Sequence, residues 1–458
     1  MLSFFHFLAK NQLNRQIIKL ALPLMLQNLS YTLLGVADTF FVSRVSTDAV
    51  AAVGLAGVLF FAVMLLFRST ATSSVVFIGQ AHGAQDDKAL GKAVWQVLNV
   101  VFWLSILALL VLPWFYRSIF SLISPQNAPQ VLAFGKSYLT IRAFEVPFAM
   151  FSGVVWGFLV GRGDSRTPMI LAWVQVIINI ILDWLLVEGN LGMPALGVAG
   201  AAYATVMANL LNAALSAYIL WQKEYRQRYD LSKIQLASTQ EMGHILKIAL
   251  PMGLGDFLEV SAFTAFFTII GQLGTDILAA NNISLQYMSL SFTLGMGIGM
   301  AASSLVAQKL GAKDPDSAEK VGYQASYLAM IVMGFIGLSY LIAPAWLMSL
   351  FSQDAGVIAA GVTVLKLVAF YQVIDALTIV LASSLNGAGD TRFTMIARAL
   401  LSWLFFIPFA WYVALKLDKG IWGAWFTALF YLGALMLVYL WRFRSGKWKS
   451  LELVITNP

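Results

Sequence analysis

Twelve apolar runs, near residues 17–42, 49–78, 89–116, 131–160, 167–188, 196–221, 245–271, 276–306, 319–350, 356–386, 393–415 and 420–441, succeed one another along the chain. Each is at least as long as the roughly 20 residues an α-helix needs to cross a bilayer. Backbone groups in hydrocarbon have no water to bond, so only helices and closed barrels satisfy them there. A barrel would show alternating strands of about ten residues, and these runs are longer and do not alternate. Charged residues make up 11% and hydrophobic ones 60% of the 458; an ordinary soluble domain carries about 25% charged residues. A water-soluble globule is excluded, and an all-α polytopic membrane protein is expected.

The runs repeat as a set of six. At an offset of 228 residues, IIKLALP at 17–23 answers ILKIALP at 245–251, TDAVAA at 47–52 answers TDILAA at 275–280, and QAHGAQD at 80–86 answers QKLGAKD at 308–314. Further on, GRGDSRTPM at 161–169 answers GAGDTRFTM at 387–395, and GVAGAAYAT at 197–205 answers GIWGAWFTA at 420–428. The one markedly polar internal stretch, 221–244, separates an amino-terminal lobe at 1–220 from a carboxy-terminal lobe at 245–458. An even number of spans per copy makes the two repeats parallel, related by an axis along the membrane normal.

Basic residues orient them. Arg162, Arg166, Lys223, Arg226, Lys309, Arg392 and Arg442 fall on one side, against Arg44, Arg117, Lys416 and Lys419 on the other. By the positive-inside rule both termini and the linker are expected in the cytoplasm. The same rule accounts for the net charge of +7 without a nucleic-acid partner. The opening MLSFFHFLAKNQLNRQ has no basic leader or small-residue cleavage site and reads as an uncleaved interfacial segment. Cysteine is absent, which removes disulfides and thiolate metal sites. His6, His82 and His244 have no metal-ligand spacing, no GxxxxGK[ST] loop binds nucleotide, and no Ser-His-Asp set assembles. Nothing points to an enzyme or a cofactor.

Ionisable groups in a span cost at least about 2.5 kcal/mol each and are functional suspects by default. Those at depth are Asp38, Arg68, Arg142, Glu145 and Asp183 in the first half, and Asp256, Glu259, Lys366, Asp375 and Arg398 in the second. Gln175, Asn179 and Asp183 follow at spacings of four, hence on one helix face. They suit a small cation or a shared proton, or alternatively interhelical hydrogen bonding. Tyr371 and Asp375 share a face in the same way. Arg68 either pairs with an acid in mid-membrane or reaches water where its helix bends. Pro23, Pro147 and Pro251 sit inside spans and should kink them.

With two six-helix repeats, VADTFFVSRV around Asp38, INIILDWLLV followed by GVAGAAYAT, FLEVSAF around Glu259 and YQVIDALTIVLASSLNGAGDT around Asp375, the chain resembles the MATE family of multidrug and toxic-compound extrusion transporters. Arg68 within FRSTATSSVVFIGQAHGA resembles the DinF-like branch, whereas FLEVSAF and YQVIDAL resemble the NorM-like one. The resemblance implies a V-shaped pair of lobes in the bacterial inner membrane. They would export organic, often cationic and amphiphilic compounds in exchange for inward H⁺ or Na⁺, with no nucleotide and a single chain sufficing. It also implies that Asp38, Asn179, Asp183 and Thr205 form an amino-lobe proton or Na⁺ site, and that Glu259, Tyr371 and Asp375 form a carboxy-lobe acidic site. NorM-like members often carry Asn where this chain has Asp183. The wider superfamily includes exporters of lipid carriers, so a flippase of a lipid-linked precursor is the alternative, with Arg68, Arg142 and Arg398 available to an anionic headgroup.

Overall fold

A computed structural model describes residues 11–124 and 128–451. The opening segment to residue 10, expected at the interface, lies outside the described residues. Among the described residues twelve helices are long and apolar enough to cross a membrane: α1 Gln12–Ser43, α2 Thr47–Gly83, α3 Asp87–Ile123, α4 Pro129–Gly161, α5 Arg166–Leu186, α6 Val198–Leu220, α7 Thr239–Gly271, α8 Thr275–Gly311, α9 Pro315–Ile342, α10 Ala355–Gly387, α11 Thr391–Lys416 and α12 Gly420–Arg444. No strand occurs among the described residues. The protein is an all-helical, multi-pass membrane protein. Large apolar side chains point outward as lipid demands: on α3, Leu110 and Trp114 are each 74% exposed while Val94 and Val97 are fully buried.

The repeat is written into the backbone. Gln85 and Lys313, 228 residues apart, both take φ 57° although neither is glycine. The next residues, Asp86 and Asp314, accept the Ala89 and Ser317 amides at 2.9 and 3.0 Å and so cap α3 and α9. Gly163 and Gly389 turn the chain at φ 89° and 87° between α4 and α5 and between α10 and α11, a conformation open to glycine at little cost.

The chain falls into two compact units, each built from parts of both halves. One comprises the described residues up to Met25 and from Leu254 onward; the other is Leu26–Gly253. The sequence division at 221–244 assigns α1 and α7 whole to their own halves. The structural division instead falls within both helices, two residues past Pro23 and Pro251. A proline inside a helix removes one backbone hydrogen bond and weakens the helix there.

Other local breaks also have identifiable causes. Ala143–Glu145 form one 3₁₀ turn in α4 just before Pro147. The ninth run ends at Ile342 rather than near 350, because Ala343 precedes Pro344 and leaves the helical region at φ −134°. Stretches Leu400–Phe406 and Tyr412–Lys416 of α11 are π-helical.

The polar linker is anchored to the Leu26–Gly253 unit and carries a short helix, Lys223–Arg228. The Arg162 guanidinium lies 4.4 Å from the Phe158 ring centroid and 4.3 Å from that of Tyr225. Arg228 meets Asp87 at 3.1 Å, and Glu241 meets Lys92 and Gln96, each at 2.8 Å. The last six positions of the expected linker, from Thr239, already belong to α7.

Close helix contact leaves testable marks. A Cβ on Gly387 of α10 would sit 2.3 Å from the Ser303 carbonyl oxygen of α8, whereas one on Gly271 would meet nothing within 4 Å. Gly387→Ala should lower stability by about 1–3 kcal/mol, read as a fall in thermal midpoint in detergent, while Gly271→Ala should leave it within experimental scatter.

Candidate functional site

The Leu26–Gly253 unit brings together three of the polar positions read from the sequence. Asp38 on α1 is 7% exposed, and Asn179 and Asp183 on α5 are fully buried. In the orientation that satisfies its hydrogen bonds, the Asn179 amide nitrogen donates to Asp38 Oδ1 at 2.9 Å and to Asp183 Oδ2 at 3.1 Å. The two carboxyls are thus bridged through a single amide nitrogen. Asp183 Oδ1 is buried without a partner. Thr205 on α6 stands 3.4 Å from the other side of the Asn179 amide, and its hydroxyl donates to the Ala201 carbonyl at 3.0 Å.

Gln175 is not part of this group. It bonds to Asn209 at 3.2 Å and also to Asn212, which contacts Ser216, forming an amide ladder between α5 and α6. The shared helix face therefore divides. Asn179 and Asp183 meet α1, while Gln175, one turn away, ties two helices together.

Beside the acids stands an ion pair that sequence reading missed. Arg142 grips Glu145 with two bonds, Nε to Oε2 at 2.6 Å and Nη2 to Oε1 at 2.8 Å. It also donates to the Tyr138 hydroxyl at 2.7 Å and lies 4.2 Å from the Phe60 ring centroid. The spacings from 142, four back to Tyr138 and three on to Glu145, were the available signal. Arg68 meets no carboxylate among the described residues; its guanidinium rests 5.0 Å from the Tyr31 ring centroid. Of the two placements expected for Arg68, pairing with an acid is not found among the described residues, and a cation–π contact takes its place.

In the other unit, Glu259 of α7 is held by Arg398 of α11 at 3.0 Å, and the same Nη1 reaches Asp256 at 2.7 Å. Tyr371 and Asp375 of α10 are 4% and 7% exposed, and the Asp375 carboxyl accepts no hydrogen bond among the described residues. It does feel the charge of Glu259. Sequence reading found these acids but not the arginine between them, since 142 positions separate Asp256 from Arg398. Among the described residues no three His, Asp or Glu side chains form a metal-binding group.

One membrane end of α1 and α5 is clamped outside the spans. Asn190 donates to Glu188 Oε2 at 2.9 Å and Arg44 to Oε1 at 2.6 Å. These two bonds hold the Glu188 carboxyl below the usual carboxylate range. A depressed carboxylate gives stability above its unfolded value, lost as pH falls through the folded one. Glu188→Gln should therefore lower the thermal midpoint at pH 7, with the difference closing as pH drops through and below about 4.3. A gap that persists unchanged in acid would contradict this assignment.

Twelve spans, duplicated backbone turns and acids buried at membrane depth are the architecture of a multi-pass membrane transporter. The MatE family model matches residues 23–185 and 251–412, and the chain belongs to that family. It is 27% identical to a protein of Thermotoga maritima described as a probable multidrug resistance protein NorM, over 96% of this chain and 94% of that one. It is also 27% identical to the multidrug resistance protein PmpM of Pseudomonas aeruginosa, over 89% and 87%. Its fold is similar to a solved outward-facing multidrug resistance MATE family transporter, with TM-score 0.85 and 20% identity over 97% of this chain and 98% of that one. It is equally similar to a MOP superfamily transporter from Pyrococcus furiosus, with TM-score 0.85 and 19% identity over 98% and 99%.

Proposed function

We propose that this protein is a secondary antiporter that exports organic, often cationic and amphiphilic compounds in exchange for a cation entering at Asp38, Asn179 and Asp183. The single observation that carries the reading is a carboxyl pair buried in a membrane span and bridged by one amide. Such a group is expensive to keep in a bilayer unless it is used. The relatives' names, multidrug resistance proteins NorM and PmpM, support export of drugs.

The proton is the favoured coupling ion. Asn179 offers its amide nitrogen to both acids, whereas Na⁺ binds oxygen, so Na⁺ entry would require that amide to turn over. Proton entry leaves that amide where it is. Binding a cation cancels charge between two carboxylates, and charge cancellation in a low dielectric changes the relative energies of the two transporter conformations. Both termini and the linker lie in the cytoplasm on this reading, and the protein resides in the inner membrane as a single functional chain.

Lipid-carrier flipping gains nothing from the geometry. Two of the three arginines available to an anionic headgroup, Arg142 and Arg398, are already engaged by carboxylates.

Asp38→Asn should abolish gradient-driven efflux of an ethidium-like dye, at least tenfold in initial rate, while the purified variant keeps the wild-type thermal midpoint within a few degrees. Efflux in the wild type should follow an imposed pH gradient in proteoliposomes with no Na⁺ present. Undiminished efflux by the variant, or efflux by the wild type that requires Na⁺, would overturn the respective part of the proposal.

A further inference from the structure

The polar linker follows the outer face of α3 to the level where that helix meets lipid. Lys92 and Gln96 of α3 hold Glu241 at 2.8 Å each, and one turn on the Asn99 amide donates to the Gln235 carbonyl at 3.1 Å. These three positions are spaced by four and three, so they lie on one face. Phe102 and Trp103 come next, both exposed, and open the apolar stripe that runs on through Leu110 to Trp114. At the other end of the linker, Tyr218 and Trp221 are exposed where α6 stops, and such aromatics sit at headgroup level. Within the linker Tyr229 and Leu231 are buried as anchors, but Ile234 and Leu236, on either side of Gln235, are 69% and 83% exposed. Between 221 and 238 four basic residues stand against two acidic ones. Arg228 is taken by Asp87 and Lys233 by Asp230, whereas Lys223 and Arg226 meet no carboxylate among the described residues.

We propose that the linker is a lipid-binding surface: Ile234 and Leu236 insert into the boundary between headgroups and acyl chains of the adjoining leaflet, and Lys223, Arg226 and Lys233 receive the headgroups of anionic phospholipids. The lipid-facing stripe of α3 continues onto the two apolar side chains, so the bilayer that covers Trp103 also covers them. Exposed Ile and Leu in water carry a cost that insertion removes, and basic residues at that depth draw anionic lipid to the same place. Gln235, whose carbonyl is held by Asn99, sets the depth of both. This anchoring is independent of what the protein exports.

The chain has no cysteine, so Leu236→Cys carries a single thiol for a bimane fluorophore. The labelled full chain is placed in lipid nanodiscs, and quenching is compared for spin-labelled phosphatidylglycerol, spin-labelled phosphatidylcholine and aqueous acrylamide. Both lipids should quench, phosphatidylglycerol at least twofold more strongly at equal mole fraction, and acrylamide should quench at least threefold less than it does for bimane at Ala84→Cys in the exposed turn between α2 and α3. Adding Lys223→Gln, Arg226→Gln and Lys233→Gln should make the two lipids equal while phosphatidylcholine quenching stays as it was, which shows that the segment is still in place. Acrylamide quenching as strong as at Ala84→Cys would put the linker in water, and quenching by neither lipid nor acrylamide would put it under protein; either overturns the proposal. Equal quenching by the two lipids before the substitutions, or a phosphatidylglycerol preference that survives them, would overturn the assignment of the basic residues.

Discussion

A charge inside a bilayer must be partnered, and that constraint organises what is functional in this protein. With 51 charged residues in 458, taking 29 basic and 22 acidic together, few reach membrane depth. Most of those that do are gathered. Arg142 is closed onto Glu145 and Tyr138, Arg398 onto Asp256 and Glu259, and Asp38 shares one amide with Asp183. Breaking a buried pair by removing one partner leaves an uncompensated charge and costs about 3–5 kcal/mol. Such pairs persist only where their energy is used or tightly constrained.

The two units answer the constraint differently on one scaffold. Equivalent turns, caps and glycine contacts recur 223 to 228 residues apart, as at Gly197 and Gly420 or Gln85 and Lys313. Yet Asp38 corresponds to Phe266, and Glu259 to Tyr31. The amino-terminal site is two acids sealed around an amide; the carboxy-terminal one is two acids on a resident arginine, partly open. A sealed site suits a proton, and an open one suits a molecule.

The fold was largely legible in the sequence because lipid imposes a simple code. Helices must be long, apolar and capped, and a duplicated code is doubly visible. What stayed hidden came from contacts between residues far apart in the chain. The ninth run overshot because apolar composition continues past Pro344 while helical geometry does not. The Gln175–Asn179–Asp183 face was readable as one stripe, but which neighbour each member meets depends on where α1 and α6 lie. No local pattern announced that Arg398 bridges Asp256 and Glu259, or that Arg68 would settle on Tyr31 instead of an acid. The two prolines that stand two residues before the unit boundaries were legible in the sequence, but the exchange of α1 and α7 segments between units was not.

The central claim is that the Asp38–Asn179–Asp183 group carries the coupling proton, which is given up in exchange for substrate. Proton release on substrate addition tests it most directly, measured with purified protein in weakly buffered detergent solution near neutral pH. The account predicts a proton released by the wild type as substrate binds, and none by Asp38→Asn/Asp183→Asn at the same substrate occupancy. Equal release from the double variant would place the coupling proton elsewhere and contradict the account.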